Sequence, residues 1–395
     1  MTPLRRFYRR PQKLVLRRFN FQIHLWAGIV LAVYLVVIGL TGSVLVFRAE
    51  LEPLSGVKPW RAIRAEEPYA DIAVVVDNLK AAYPNHRISS VMAPTGSRPV
   101  FLAVLEGRRR ITVASDPAEG RVLGELSNQP RWLDVIRDLH VSLLLGRTGR
   151  LLNGAGALAL LVLNLTGLVI WWPGVRTWRR ALKVDFRRRW RRINFDLHSA
   201  VGFWTLGIVS LWAISGIYFA WPRQVFLFVD SFSRVITARP PAITVTPGES
   251  TREIDLSSLV ARARLVDPGT KLGGILFPYG RRAPLGVLMH RRSSPGREYD
   301  DTVYFNPYTT AYITTWRYGV NQSVGDWLIW SQVPLHYGTS WGISVKLLWA
   351  AAGLAIPLLT VTGLLMYWNR ALRREWKRLT QGPETPPHAA AASAH

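Results

Sequence analysis

The chain has 395 residues, 49% of them apolar, with 50 Lys and Arg against 25 Asp and Glu for a formal net charge of +25. It contains no cysteine, which excludes disulfides, thiolate metal sites, iron–sulfur clusters and covalent haem attachment. Nucleic-acid binding is also disfavoured, because the positive charge is divided among short pieces beside apolar runs and does not form one face of a soluble fold.

Residues 1–23 carry seven Lys and Arg and no acid. The apolar run that follows, 24–47, is too long for a signal-peptide core and shows no clear cleavage site, so it reads as a retained transmembrane helix. Residues 48–145 then read as a soluble α+β module: a helix over 71–82, strands at 88–92, 100–105 and 111–114, and a turn at Asp116-Pro117. The module ends in an interfacial helix, since Trp132, Leu133, Ile136, Leu139, His140, Leu143 and Leu144 fall at helical spacings.

A second transmembrane helix is expected over 150–172, followed by a basic linker, 173–195, where Arg187-Arg188-Arg189 suits anionic lipid headgroups. The third span is expected over 196–221. Residues 222–341 repeat the α+β plan, with a helix at 255–265, strands at 273–277, 285–290 and 302–305, and a turn at Asn306-Pro307. A less regular interfacial stretch follows, with Trp327, Leu328, Trp330 and Leu335. The fourth span, 345–369, contains Pro357, expected to kink it. Residues 370–395 form a tail.

The fold class expected is therefore an α-helical membrane protein, a four-helix transmembrane bundle made of two parallel repeats, each with an α+β insertion. Lys and Arg flanking a span resist translocation. Residues 173–197 hold nine against two acids and 370–395 five against two, whereas 48–146 hold 13 against 12 and 222–340 hold 13 against nine. Both termini and the linker are thus expected in the cytoplasm, and the two modules on the opposite side.

The repeats show most clearly in the histidines. Arg17-Arg18-Phe19-Asn20-Phe21-Gln22-Ile23-His24 recurs as Arg191-Arg192-Ile193-Asn194-Phe195-Asp196-Leu197-His198, with Thr41-Gly42 and Ser215-Gly216 each beginning 17 residues after its histidine. Likewise Leu139-His140 and Leu335-His336 are followed at 26 residues by Thr166-Gly167 and Thr362-Gly363. A lone histidine at a helix edge usually caps the helix or meets headgroups, but four at matched positions argue for a shared task. A 23-residue helix spans roughly 35 Å, so histidines at opposite edges cannot share one small ligand, and the pairs expected are His24 with His198 and His140 with His336.

Two neutral imidazoles facing each other inside a bundle suit axial ligation of haem iron. The small pairs Thr41-Gly42, Thr166-Gly167, Ser215-Gly216 and Thr362-Gly363 would leave room for a flat macrocycle, or simply allow close helix packing. Arg17, Arg18, Arg191 and Arg192 at the inner pair, and Arg48, Arg147, Arg150 and Lys346 at the outer pair, are candidates for haem propionates or plain membrane flanks. Of these, Arg147 and Arg191 are taken as site residues. No nucleotide-binding glycine motif is present.

Asp138-Leu139-His140, Gly146-Arg147-Thr148-Gly149-Arg150, the run Leu165 to Pro173 and the segment Phe19 to His24 together resemble the PepSY-associated transmembrane family, over nearly the whole chain. The modules look like PepSY domains, with Asp116-Pro117 to Gly120 in a hairpin. Within the family the likeness is to inner-membrane ferric-siderophore (ferrioxamine) reductases of the FoxB type. That resemblance implies a bacterial inner-membrane oxidoreductase of iron uptake with two b-type haems, ligated by His24, His198, His140 and His336. It further implies periplasmic modules, an electron donor that is cytoplasmic or a quinol, and a ferric siderophore as acceptor. The second copy departs from the pattern, since Pro334-Leu335-His336-Tyr337-Gly338 lacks the Asp and the Gly-Arg run. Two other readings are a haem carrier serving a different acceptor and a haem-free membrane regulator of peptidases.

Overall fold

The computed structural model describes residues 15–54, 68–95, 98–126, 132–235, 242–244, 254–293, 297–317, 323–338, 341–372 and 376. The basic residues before Val15 and nearly all of the expected tail lie outside these. Two compact units result, a helical one from residues 1–48, 134–225 and 333–395, and a sheet unit from 49–133 and 226–332.

In the helical unit, α1 (Val15–Val30) and α2 (Ala32–Leu45) form the first apolar segment. The sheet unit contributes α3 (Ile72–Ala82), and the chain continues through α4 (Trp132–Ser142), α5 (Gly146–Trp171) and α6 (Trp190–Ala220). After α7 (Pro222–Asp230) and α8 (Leu256–Val266) come α9 (Val324–Tyr337) and α10 (Gly342–Tyr367). Helices α5, α6 and α10 are long and apolar enough to cross a membrane.

The first segment departs from the expected straight span: α1 and α2 meet at an angle of 67°. Leu31 at the break has φ −88° and ψ 0°, yet helical hydrogen bonds continue on both sides of it, Leu31 N to Ala27 O at 2.9 Å and Leu35 N to Leu31 O at 2.8 Å. A bend made by one residue's dihedrals leaves no mark on hydropathy. The third span also begins earlier than expected, so Arg191 and Arg192 lie in the first turn of α6 and not in a loop.

Helix α1 packs on α5 and α2 on α10, while α6 packs against both α5 and α10. Leu35, Leu163, Val209 and Ile356, one from each apolar segment, form the buried centre. Where α2 crosses α10, a Cβ on Gly39 would stand 2.6 Å from Pro357 Cδ and 2.8 Å from Gly353 O. Small residues at such a crossing let backbones approach. Helix α10 runs through Pro357, and the proline ring rests on Gly39.

Leu143 and Leu144, expected inside the interfacial helix, lie beyond its end at φ 50° and 60°. That left-handed backbone is costly for non-glycine residues and marks a tight reversal into α5.

In the sheet unit, α3 starts at Asp71, whose side chain accepts from Ala73 N at 2.9 Å, and buries Ile72, Val75, Val76 and Leu79 at helical spacing. Helix α8 is capped the same way by Asp255. The strands are β1 (Arg87–Met92), β2 (Phe101–Glu106), β3 (Ile111–Ser115), β4 (Val122–Glu125), β5 (Lys271–Leu276), β6 (Leu285–Ser293), β7 (Arg297–Phe305) and β8 (Tyr312–Trp316).

The two modules, expected as separate insertions, share one antiparallel sheet in the order β4-β3-β2-β1-β5-β6-β7-β8. Strands β1 and β5 join them, with Val91 opposite Ile275. One core runs across the junction, including Val75, Phe101, Leu105, Leu259, Ile275, Met289 and Phe305.

Candidate functional site

The four histidines come together as two pairs. His24 on α1 and His198 on α6 have ring centres 6.3 Å apart at an interplanar angle of 89°. His140 on α4 and His336 on α9 are also 6.3 Å apart, at 62°. These are the pairs the register predicts.

Each ring is held through Nδ1 by the hydroxyl of a Thr-Gly or Ser-Gly step. Thr166 Oγ1 lies 3.1 Å from His24 Nδ1, Thr362 Oγ1 3.0 Å from His198, Thr41 Oγ1 3.0 Å from His140 and Ser215 Oγ 2.6 Å from His336. All four hydroxyl residues are buried. Among the described residues the Nε2 atoms have no protein partner.

The glycines in these steps serve the rings. A Cβ on Gly42, Gly167 or Gly363 would stand 3.0, 3.2 or 3.3 Å from Cε1 of His140, His24 or His198. Gly216 differs, because its Cβ would meet Ala157 on α5 at 2.9 Å and no histidine. The glycines thus lie against imidazoles at three positions and against a helix at the fourth.

The basic candidates divide. Arg17 donates to the carbonyls of Ile170 and Trp172 and so caps the C-terminus of α5. Arg192 pairs with the buried Asp196 at 2.9 Å, and Arg48 with Asp134 at 3.3 Å. Arg18, Arg147, Arg150 and Arg191 are exposed at helix ends, and Lys346 is half-buried.

Several supporting residues escaped the sequence reading. Asn153 donates to His140 O at 2.8 Å and Val141 O at 3.2 Å while accepting from Tyr34 Oη at 2.8 Å. At the other histidine of that pair, Trp349 Nε1 donates to Leu335 O at 2.9 Å and Trp212 Nε1 to His336 O at 3.1 Å. Trp349 stands 196 residues after Asn153, the offset that separates His140 from His336, and that offset was the available signal. Asn194, within the duplicated motif itself, is buried and donates to Thr362 O at 2.9 Å.

Two imidazoles with free Nε2 atoms can hold one metal ion between them. With a metal–nitrogen bond of about 2 Å, the 6.3 Å between ring centres in each pair is wide enough that the two imidazoles would hold one ion between their nitrogens. Among the described residues no group of three or more His, Asp or Glu side chains is placed to hold a metal ion.

A known protein with a similar sequence is an uncharacterised protein of Pseudomonas aeruginosa, 28% identical over 287 residues, or 63% of this chain and 68% of that protein. The sequence profile of the PepSY-associated TM region matches residues 21–370. With the match extending from the first turns of α1 to beyond the end of α10, the chain belongs to the PepSY-associated transmembrane family.

Proposed function

We propose that the chain is an electron-transfer protein of the bacterial inner membrane that holds two b-type haems and reduces ferric siderophores at the periplasmic face. The observation that carries this reading is the pair of imidazole couples, each 6.3 Å between ring centres, with every Nδ1 anchored and, among the described residues, no protein partner on any Nε2. In this reading His24 and His198 hold the inner haem and His140 and His336 the outer one, within a four-helix transmembrane bundle of two repeats. Haem ligated by two imidazoles supplies reversible one-electron transfer.

The protein's own contribution is to bind and space the two cofactors. Along α6, His198 and Ser215 are 17 residues apart, so the two histidine pairs lie about 25 Å from one another at 1.5 Å per residue. The gap is filled by Leu35, Leu163, Val209 and Ile356, which exclude water between the sites. The basic flanks orient the inner pair toward the cytoplasm, where a soluble or quinol donor delivers electrons. Reduction of a siderophore's Fe(III) gives a less charged cation held less tightly by its oxygen ligands, and the iron is released.

The test is the visible spectrum of the detergent-purified chain before and after dithionite, with haem counted as the pyridine complex. Sharp reduced b-type bands at two haems per chain, reoxidised by a ferric siderophore, support the proposal. Haem that is reoxidised only by other acceptors would reassign the substrate. A colourless protein that takes up no haem would overturn the electron-transfer reading and turn attention to peptidases as partners of the sheet.

A further inference from the structure

The four hydroxyls are not equivalent. Each donates its single hydrogen to the carbonyl one turn back in its own helix: Thr41 to Val37 O at 2.7 Å, Thr166 to Val162 O at 2.7 Å, Ser215 to Leu211 O at 2.8 Å and Thr362 to Leu358 O at 2.7 Å. With that hydrogen engaged, the oxygen can only accept, so the histidine Nδ1 must donate and Nε2 keeps its lone pair.

One ring has a second acceptor that enforces the same state: His24 Nδ1 is 3.1 Å from Leu163 O. A carbonyl never donates, so Nδ1 carries the hydrogen in that ring whatever the hydroxyl does. Among the described residues His336 has no such carbonyl, and Ser215 at 2.6 Å is its one Nδ1 partner. Its other neighbours are aromatic: Phe219 lies edge-on at 5.1 Å and Tyr337 at 5.8 Å.

We propose that Ser215 is the positioning residue for His336, fixing its Nδ1–H state and thereby the ligand strength of the outer pair. For its effect on a bound cofactor the inference rests on the haem reading above; for the ring state it stands on the hydrogen bonds alone. An N–H···O bond on the far side of an imidazole makes it a stronger electron donor to its metal and favours the more oxidised ion. Loss of that bond raises the potential of the site. Thr166 holds His24 in the same way, but that ring is also backed by the Leu163 carbonyl, so it supplies an internal control.

The experiment compares the full-length chain with Ser215→Ala, Ser215→Thr and Thr166→Val. Nitrogen NMR of the histidine-labelled chain freed of haem, with the His336 and His24 signals assigned from their absence in His336→Gln and His24→Gln, reads the ring state. Potentiometric titration of the visible bands reads the ligand strength. Ser215→Ala should abolish the uniform Nδ1–H signature of His336 and shift the outer haem to higher potential without moving the inner one. Thr166→Val should leave the His24 ring state unchanged and shift the inner potential less, and Ser215→Thr should restore both readouts. An unchanged His336 signature in Ser215→Ala would overturn the proposal, as would equal shifts of the outer potential in Ser215→Ala and of the inner potential in Thr166→Val. A wild-type chain without haem would sink the function proposed above while the NMR comparison still decides the role of Ser215.

Discussion

Imidazoles at two sites make the residue-scale prediction direct. Replacing His24 or His198 by Ala removes one of the two rings facing each other across 6.3 Å, and His140 or His336 does the same at the other pair. Each single change should lower the count from two haems per chain to one, and the inner and outer changes should remove spectrally different species. Retention of both haems after any of the four would refute the assignment. Gly42 gives a subtler test. A Cβ there already stands 3.0 Å from His140 Cε1, so Gly42→Val must push the ring aside and should empty the outer site with the inner one intact in the same haem assay. The recurrence of a hydroxyl and a glycine at fixed distances from each histidine was legible in the sequence. Their task was not, because whether the glycine faces an imidazole, a macrocycle or another helix depends on helix phase and crossing, as the exception at Gly216 shows.

Helix ends near the sites carry the element-scale argument. Helix α4 stops at Ser142 and reverses through Leu143 and Leu144, both at positive φ, so its last carbonyls need outside donors. Asn153 supplies them from α5, and Tyr34 fixes the Asn153 amide in turn. Asn153→Ala should destabilise the helical unit by about 0.5–1.5 kcal/mol, the net worth of a typical hydrogen bond, seen as a lower melting temperature in detergent and faster loss of the outer haem. Tyr34→Phe should cost less, since both carbonyls keep their donor. At this scale the sequence was a good guide to α3, α8 and the inner strands, whose apolar alternation is strong. It missed β4 and β8: their flanking pattern is short, and Val122–Glu125 has no buried residue. The 67° bend in the first segment was equally hidden, because both halves are apolar and no proline marks the break.

At the scale of the molecule, two halves of the chain are tied together in both units. The sheet is continuous through β1 and β5, and helices α5 and α10, each of 26 residues, begin at Gly146 and Gly342, 196 residues apart and both at positive φ. That offset of 196 residues could be read from the histidine register. The joined sheet could not, since strands separated by about 180 residues pair through backbone groups that any exposed edge offers. The absence of cysteine turns the proposed orientation into a clean experiment, because a single introduced thiol is the only one present. Tyr279, 81% exposed in the sheet unit, and Thr177, exposed in the basic linker, lie on opposite sides of the membrane if Lys and Arg set the topology. Tyr279→Cys should react with a membrane-impermeant maleimide once the outer membrane is permeabilised and the inner membrane is intact, whereas Thr177→Cys should react only after the inner membrane is opened. The reverse pattern would invert the chain. It would put the His140–His336 pair on the cytoplasmic side, where reduction of a siderophore in the periplasm has no route.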